Sequence, residues 1–402
     1  MNYNWKKNTG IFLSSQAVSI LGSSLVQFAI MSYITVETKS GIYATVGILC
    51  SILPMFLLSP FAGVWADKYS RKHLIMIADG SISICTLIVA VIFLMGNGSI
   101  WLLFAGLVIR ALGSAVQNPS VNALLPDIVP EKHLTRVNGI NGTLQALFSL
   151  ASPMLGALLL TVAPLWVIFL IDIITAVIAI VIMFTAFRLP PKEKETEKKT
   201  KDNYLLDMKE GFKYIFRTRY LMEFFGYCVV YFIMMAPAAF LTQVQVVRNY
   251  GDNYWYLSSI QVAYAVGMFL GGVLITIWGG FKNKTYTIMM AGIILGACTF
   301  SLGISMQFLT YTILMGVLGI ALTLLSTPAM TMLQERVEPT YRGRVLAVMS
   351  MINTSMMPLG MIIFGPLADM ISVEILFVIT GIITIITAFS MVRAKELCRV
   401  GR

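Results

Sequence analysis

Twelve long apolar runs, separated by short charged breaks, constrain this chain more than any other feature. They fall at about 10–35, 43–66, 74–95, 100–122, 143–162, 165–187, 220–242, 257–279, 286–306, 309–332, 345–368 and 373–391. A helix rises about 1.5 Å per residue, so about 20 apolar residues cross a hydrocarbon core roughly 30 Å thick. Each run is near or above that length. A soluble fold of 402 residues has no room to hide a chain that is 57% hydrophobic and 12% charged in this pattern. The expected fold class is an all-α integral membrane protein with twelve transmembrane helices. The first run follows Lys6 and Lys7 as a signal peptide would, but it is too long for one and lacks a convincing cleavage site.

The basic residues give the chain a direction. With the N-terminus placed inside and the loops alternating, 26 of the 29 Lys and Arg residues fall on the inner side. Lys39 and Arg248 fall outside, and Arg110 lies within a span. The positive-inside rule then puts both termini in the cytoplasm of a cell-membrane protein. It also accounts for the net charge of +10 through basic flanks facing anionic lipids, with no nucleic-acid partner.

One stretch breaks the rhythm. Residues 188–219 open with a charged, proline-led LPPKEKETEKKTKDNY and close with a helical-looking LLDMKEGFKYIFRTR. The first part reads as a linker and the second as a surface helix on Leu206, Phe212, Ile215 and Phe216. The expected domains are a six-helix bundle at 1–187, a cytoplasmic linker at 188–219 and a second six-helix bundle at 220–402. The halves also rhyme. Pro119 to Pro130 and Pro328 to Pro339 each span eleven residues at matching places, with Arg136 or Arg342 and Arg344 following. Paired bundles of this kind place a substrate path at the interface of the repeats.

Between the second and third runs stands Gly63–Lys72, GVWADKYSRK. Gly63 admits a close neighbour, Asp67 suits the N-terminus of a facing helix, and Arg71 and Lys72 can pair with acids or headgroups. An ordinary positive-inside turn explains the bases but not Asp67 after Gly63. The second half has the bases in GGFKNK (Gly279–Lys284) without the acid, so the expected latch is asymmetric.

This turn, with the two-times-six layout and basic linker, resembles the major facilitator superfamily. Further segments resemble its macrolide-efflux branch among the bacterial drug:proton antiporters. They are SQAVSI at Gln16, IADG at Ile77–Gly80, IRALGSAVQNPSVNALLPDIVPE from Ile109, MKEGF, GMFLGG at Gly267–Gly272 and GRVLAVMS. The resemblance implies that Gly63, Asp67, Arg71 and Lys72 form a gating latch. It further implies that Arg110 matches the helix-4 arginine tied to proton coupling, although the usual glutamine is not at its expected place.

Ionisable residues inside a bilayer are costly and default to functional hypotheses. Arg110 lies about ten residues into the fourth span and needs an acid or carbonyl partner; a purely architectural pair is the competing reading. Asp172 in span 6 and Asp79 in span 3 are the carboxyl candidates for proton coupling, with Asp172 ranked first for its depth. Span 1 has no interior acid, unlike some multidrug:proton antiporters. In span 5, Pro153 and Gly156 resemble a degenerate antiporter glycine–proline motif that bends and packs the helix; generic packing explains them equally well. Gln16, Gln27, Asn141 and Gln145 are candidate hydrogen-bonding groups for a substrate. The 25 methionines and 23 phenylalanines suit an adaptable apolar cavity.

The remaining chemistry is sparse. The five cysteines are scattered, and His73 and His133 fall in loops without forming a cluster, so no metal site or cofactor is expected. There is no P-loop and no nucleophile–base constellation, which argues against an enzyme. The reading is a monomeric secondary transporter that exports a small hydrophobic drug such as a macrolide in exchange for protons. The alternatives are an exporter or flippase for a native siderophore or lysophospholipid, and a non-transporting receptor or scaffold.

Overall fold

The structure, a computed structural model, describes residues 4–187, 212–305 and 307–401. The described residues hold twelve helices long and apolar enough to cross a membrane. They are α1 (Trp5–Thr38), α2 (Gly41–Lys68), α3 (Arg71–Leu94), α4 (Ile100–Ile128), α5 (Glu131–Val162), α6 (Leu165–Thr185), α7 (Arg219–Tyr250), α8 (Tyr254–Trp278), α9 (Lys284–Ile304), α10 (Phe308–Arg336), α11 (Pro339–Met370) and α12 (Val373–Ser390). A short α13 (Lys395–Val400) follows. Helix is the outcome hydrocarbon imposes, because every backbone N–H and C=O must be satisfied within its own segment.

Local chemistry sets the ends. Ser99 Oγ accepts from Leu102 N to cap α4, and Asn283 Oδ1 accepts from Thr285 N to cap α9. Gly251, Gly279 and Gly280 take φ of 102°, 72° and 78° where α7 and α8 stop, a region that favours glycine. Pro237 interrupts α7. It has no N–H to offer its upstream carbonyl, and the helix widens to a π-turn over Pro237–Leu241.

The helices run past the predicted spans. The sequence places a loop at 123–142, whereas α4 continues to Ile128 and α5 begins at Glu131. His73 and His133 accordingly sit in the first turns of α3 and α5 rather than in loops, and His133 stacks on Trp5 at 4.7 Å. Hydropathy ends with the hydrocarbon, but the helical backbone carries on into the polar zone. The repeat survives in these lengths: α4 and α10 are 29 residues each, and α5 and α11 are 32 each.

The chain divides into two compact units. The first contains Met1–Thr38, Val46–Glu195 and Asn253–Ser258; the second contains Lys39–Thr45, Thr196–Asp252 and Ser259–Arg402. In the first, Phe12, Ile75, Leu124, Ile128, Met183 and Phe187 pack together at one end of α1, α3, α4 and α6. In the second, Leu221, Phe224, Met332, Val345 and Leu397 belong to one core, and α13 is tied to the start of α9. There Lys284 N donates to Gly401 O at 2.7 Å and Asn283 Nδ2 to Cys398 O at 2.7 Å. The predicted surface helix is described only at 212–217, where Ile215 is buried in this core and Phe216 is exposed. Leu206 and the linker at 188–211 lie outside the described residues.

Candidate functional site

In the first unit, four helices converge on one guanidinium. Arg110 Nη1 lies 2.5 Å from Asp172 Oδ2 of α6 and 3.0 Å from Thr86 Oγ1 of α3. Its Nη2 donates to Ser23 O of α1 at 3.1 Å. The side chains of Arg110 and Asp172 are only 7% and 2% exposed. Small residues make the convergence possible. A Cβ at Gly113 would sit 2.5 Å from Ile82 Cγ1, and one at Gly22 would sit 3.1 Å from Asp172 Oδ1. The partner that Arg110 needs is therefore Asp172, with a main-chain carbonyl and a hydroxyl completing the set.

Asp79 is different in kind. It is buried in α3, and its Oδ1 accepts from Ser19 Oγ of α1 at 2.9 Å and from Gln117 Nε2 of α4 at 2.8 Å. Among the described residues no cation pairs with it. Asp79, Ser83 and Thr86 stand at helical spacing on one face of α3, leading from this carboxyl to the Arg110–Asp172 pair. In that column Ser83 Oγ is buried without a hydrogen-bond partner, and on α1 so is Gln16 Nε2, one turn before Ser19. Buried polar atoms in that condition mark a place for water or for a ligand group.

Gln117, Ser19 and Thr86 are the members that residue-by-residue reading misses. Gln117 follows Arg110 by seven residues, two turns along the same face, so its spacing was visible. Ser19 and Thr86 carry no charge to single them out.

The Gly63–Lys72 turn is also resolved into contacts. Arg71 Nη1 lies 2.5 Å from Asp127 Oδ2 and donates to Ala123 O at 2.7 Å, while its Nε donates to Ala66 O at 3.1 Å. Lys72 Nζ donates to Phe187 O at 2.8 Å. The two bases therefore sit at the C-terminal ends of α2, α4 and α6, where helix dipoles favour cations. The side chain of Asp67 is outside those described. A Cβ at Gly63 would meet nothing within 4 Å among the described residues, so the close neighbour expected of Gly63 is not there in this structure.

The other candidates are dispersed. Gln27 Nε2 donates to Ser51 Oγ at 3.0 Å; Gln16 and Asn141 are buried, the latter with Oδ1 unpartnered; Gln145 is exposed. No shared partner gathers them. Pro153 and Gly156 are buried in α5, and a Cβ at Gly156 would lie 2.4 Å from Phe28 Cδ1, which identifies it as a packing contact with α1.

The model of the Major Facilitator Superfamily matches residues 9–280 and 224–396. The chain belongs to the major facilitator superfamily. Within it, Macrolide efflux protein A of Streptococcus pyogenes is 27% identical over 396 residues, covering 98% of this chain and 97% of that protein. The protein of the same name from Enterococcus faecalis is 26% identical over 315 residues, 78% of this chain and 97% of its own. The Staphyloferrin A transporter of Staphylococcus aureus is 25% identical, covering 94% of each. A bacterial homologue of the iron transporter ferroportin, solved inward-facing, shares the fold at a TM-score of 0.70 and 15% identity, over 95% of this chain and 98% of that one. The nucleoside transporter NupG does so at 0.69 and 14%, over 97% of this chain and all of its own. The expected fold therefore holds: an all-α, multi-pass membrane transporter of twelve helices in two six-helix bundles, resembling the macrolide-efflux branch.

Proposed function

We propose that this facilitator-family transporter exports a hydrophobic drug such as a macrolide from the cytoplasm in exchange for protons. The observation that carries the substrate class is the near-full-length likeness to Macrolide efflux protein A, which covers 98% of this chain. Both termini face the cytoplasm, a reading supported by the distribution of basic residues. The bundles at 1–187 and 220–402 rock about the path to alternate access, joined by the linker at 188–219.

The buried cluster supports the proton half of the reading. An isolated ionised carboxylate is expensive in a low-dielectric interior, whereas a carboxylic acid is not. Asp172 has a cation 2.5 Å away to balance it; Asp79 has Ser19 and Gln117, both neutral. Asp79 is thus the carboxyl that changes charge, and Arg110–Asp172 is the fixed pair beside it. This reverses the ranking by depth. The Gly63–Lys72 turn acts as the cytoplasmic latch through Asp67, with Arg71 and Lys72 bracing the helices that carry it.

Drug accumulation in cells tests the whole reading. Cells that make the protein should hold less macrolide than cells without it, and a proton uncoupler should abolish the difference. Equal accumulation across a macrolide panel sinks the substrate, and uncoupler-insensitive export sinks the coupling. For the latch, Asp67→Asn should transport several-fold more slowly at unchanged membrane abundance; full transport would reduce the turn to an ordinary topological anchor.

A siderophore is the second substrate reading. It is favoured by the likeness to the Staphyloferrin A transporter over 94% of this chain.

A further inference from the structure

The C-terminal ends of α2 and α11 carry the same pattern. One reads Gly63-Val-Trp-Ala-Asp67 and the other Gly365-Pro-Leu-Ala-Asp369, and each aspartate is the last residue but one of its helix. An acid at a helix C-terminus faces the negative end of the dipole, so each needs a partner elsewhere. For Asp369 that partner is plain. Its Oδ1 accepts from Gly41 N at 2.8 Å, and its Oδ2 accepts from Ile42 N at 2.9 Å and from Ser40 Oγ at 2.5 Å. These are the free N–H groups of the first turn of α2, at the positive end of a 28-residue helix. Arg248 of α7 closes the arrangement. Its Nη2 lies 2.6 Å from Asp369 Oδ1, its Nη1 donates to Ala368 O at 2.6 Å and its Nε donates to Lys39 O at 2.8 Å.

Two glycines bring the helices together. A Cβ at Gly41 would lie 2.4 Å from Gly365 O, and one at Gly365 would lie 1.7 Å from Thr45 Oγ1. Lys39, which enters α2 at a φ of 51°, adds an ion pair to Asp252 at 2.7 Å. All of these residues lie in the second compact unit, so the start of α2 packs with α7 and α11.

We infer that Asp369, Arg248 and the N-terminus of α2 form a clasp that closes and opens once per transport cycle, the counterpart at the opposite end of α2 to the Gly63–Asp67 turn. The copy missing from GGFKNK is found at the end of α11, with α2 as its receiver. Several features mark the contact as one that can release. It is polar, its bonds are few and directional, and Lys39, Asp252 and Arg248 are partly exposed, so water replaces the partners when it parts. The orientation of this end toward the outside rests on the function proposed above.

The test uses the full chain with its five native cysteines replaced and one cysteine introduced for Thr45, which is buried at 5% exposure beneath the clasp. A membrane-impermeant maleimide added to intact cells reads how often that position is uncovered. Asp369→Asn and, separately, Arg248→Gln should each speed labelling, by about tenfold for the former, as expected for loss of charge-assisted bonds. Gly365→Val, which wedges the crossing, should speed it too. Unchanged labelling in both Asp369→Asn and Arg248→Gln overturns the clasp. No drug is needed, so the outcome is independent of the substrate. Labelling confined to inside-out vesicles would overturn the orientation, while the ratio of variant to parent there would still decide the clasp.

Discussion

The two halves of the repeat tie the same four spans together with different chemistry. In the first unit, α1, α3, α4 and α6 meet through Ser23 O, Thr86, Arg110 and Asp172, a charged tie buried deep in the bundle. In the second, α7, α9, α10 and α12 meet through Gln245, whose Nε2 donates to Leu302 O at 3.1 Å and lies 3.4 Å from Glu374 Oε1, and whose Oε1 accepts from Tyr311 at 2.8 Å. Arg110 stands ten residues into α4, about 15 Å along the axis, whereas Tyr311 stands three residues into α10, about 4.5 Å. Among the described residues, the three most deeply buried charged side chains, Asp79, Arg110 and Asp172, are all in the first unit. In the second, the acid that joins the tie, Glu374, sits in the first turn of α12 instead of deep in the bundle, and Asp369 lies at the end of α11. The difference teaches that the repeat conserves which helices are pinned but leaves free what pins them. Under the proposed proton exchange, charge movement falls to the half that has deep charge.

The largest expected effect is at the charged tie. Arg110→Ala leaves Asp172 buried without a cation and should cost about 3–5 kcal/mol of stability, read by unfolding in detergent. Replacing both partners, Arg110→Met with Asp172→Leu, should recover most of that loss, since two apolar side chains leave no orphan charge. A double variant as unstable as the single would mean that the pair is not the stabilising unit. If the double variant still exports drug in an uncoupler-sensitive way, the pair is scaffold and the coupling sits elsewhere in the same half.

A smaller effect is expected in the Gln245 tie. Tyr311→Phe removes one hydrogen bond to Gln245 and should cost about 1 kcal/mol, with uncoupler sensitivity intact. Loss of coupling in that variant would erase the distinction between the halves, because it would place ion dependence in the half without deeply buried charge.

Much of this was legible in the chain itself, for a physical reason. Hydrocarbon forces long uncharged runs, so the twelve spans and the break near 188 stand out without any knowledge of packing. Arg110 and Asp172 were visible because charge inside such a run is rare. What paired them was not visible, since 62 residues separate the partners. Asp79 was seen, but its isolation from cations is a property of its neighbours: Ser19 and Gln117 reach it from other helices. Asp369 was passed over for a different reason. Near the end of a span an acid reads as a headgroup anchor, and only the arrival of Gly41 and Ile42 beneath it shows that it is holding a helix. Gly63 is the reverse case, a conspicuous glycine with no close neighbour to a Cβ among the described residues.

Proton coupling through Asp79 is the central claim, and reconstitution addresses it directly. Purified protein in liposomes with an imposed pH gradient should drive macrolide against its concentration. Asp79→Asn, which keeps the shape and can still meet Ser19 and Gln117, should bind drug and exchange it down a gradient yet fail to accumulate it when only the pH gradient is supplied. Accumulation by Asp79→Asn at the parent's level would contradict the account.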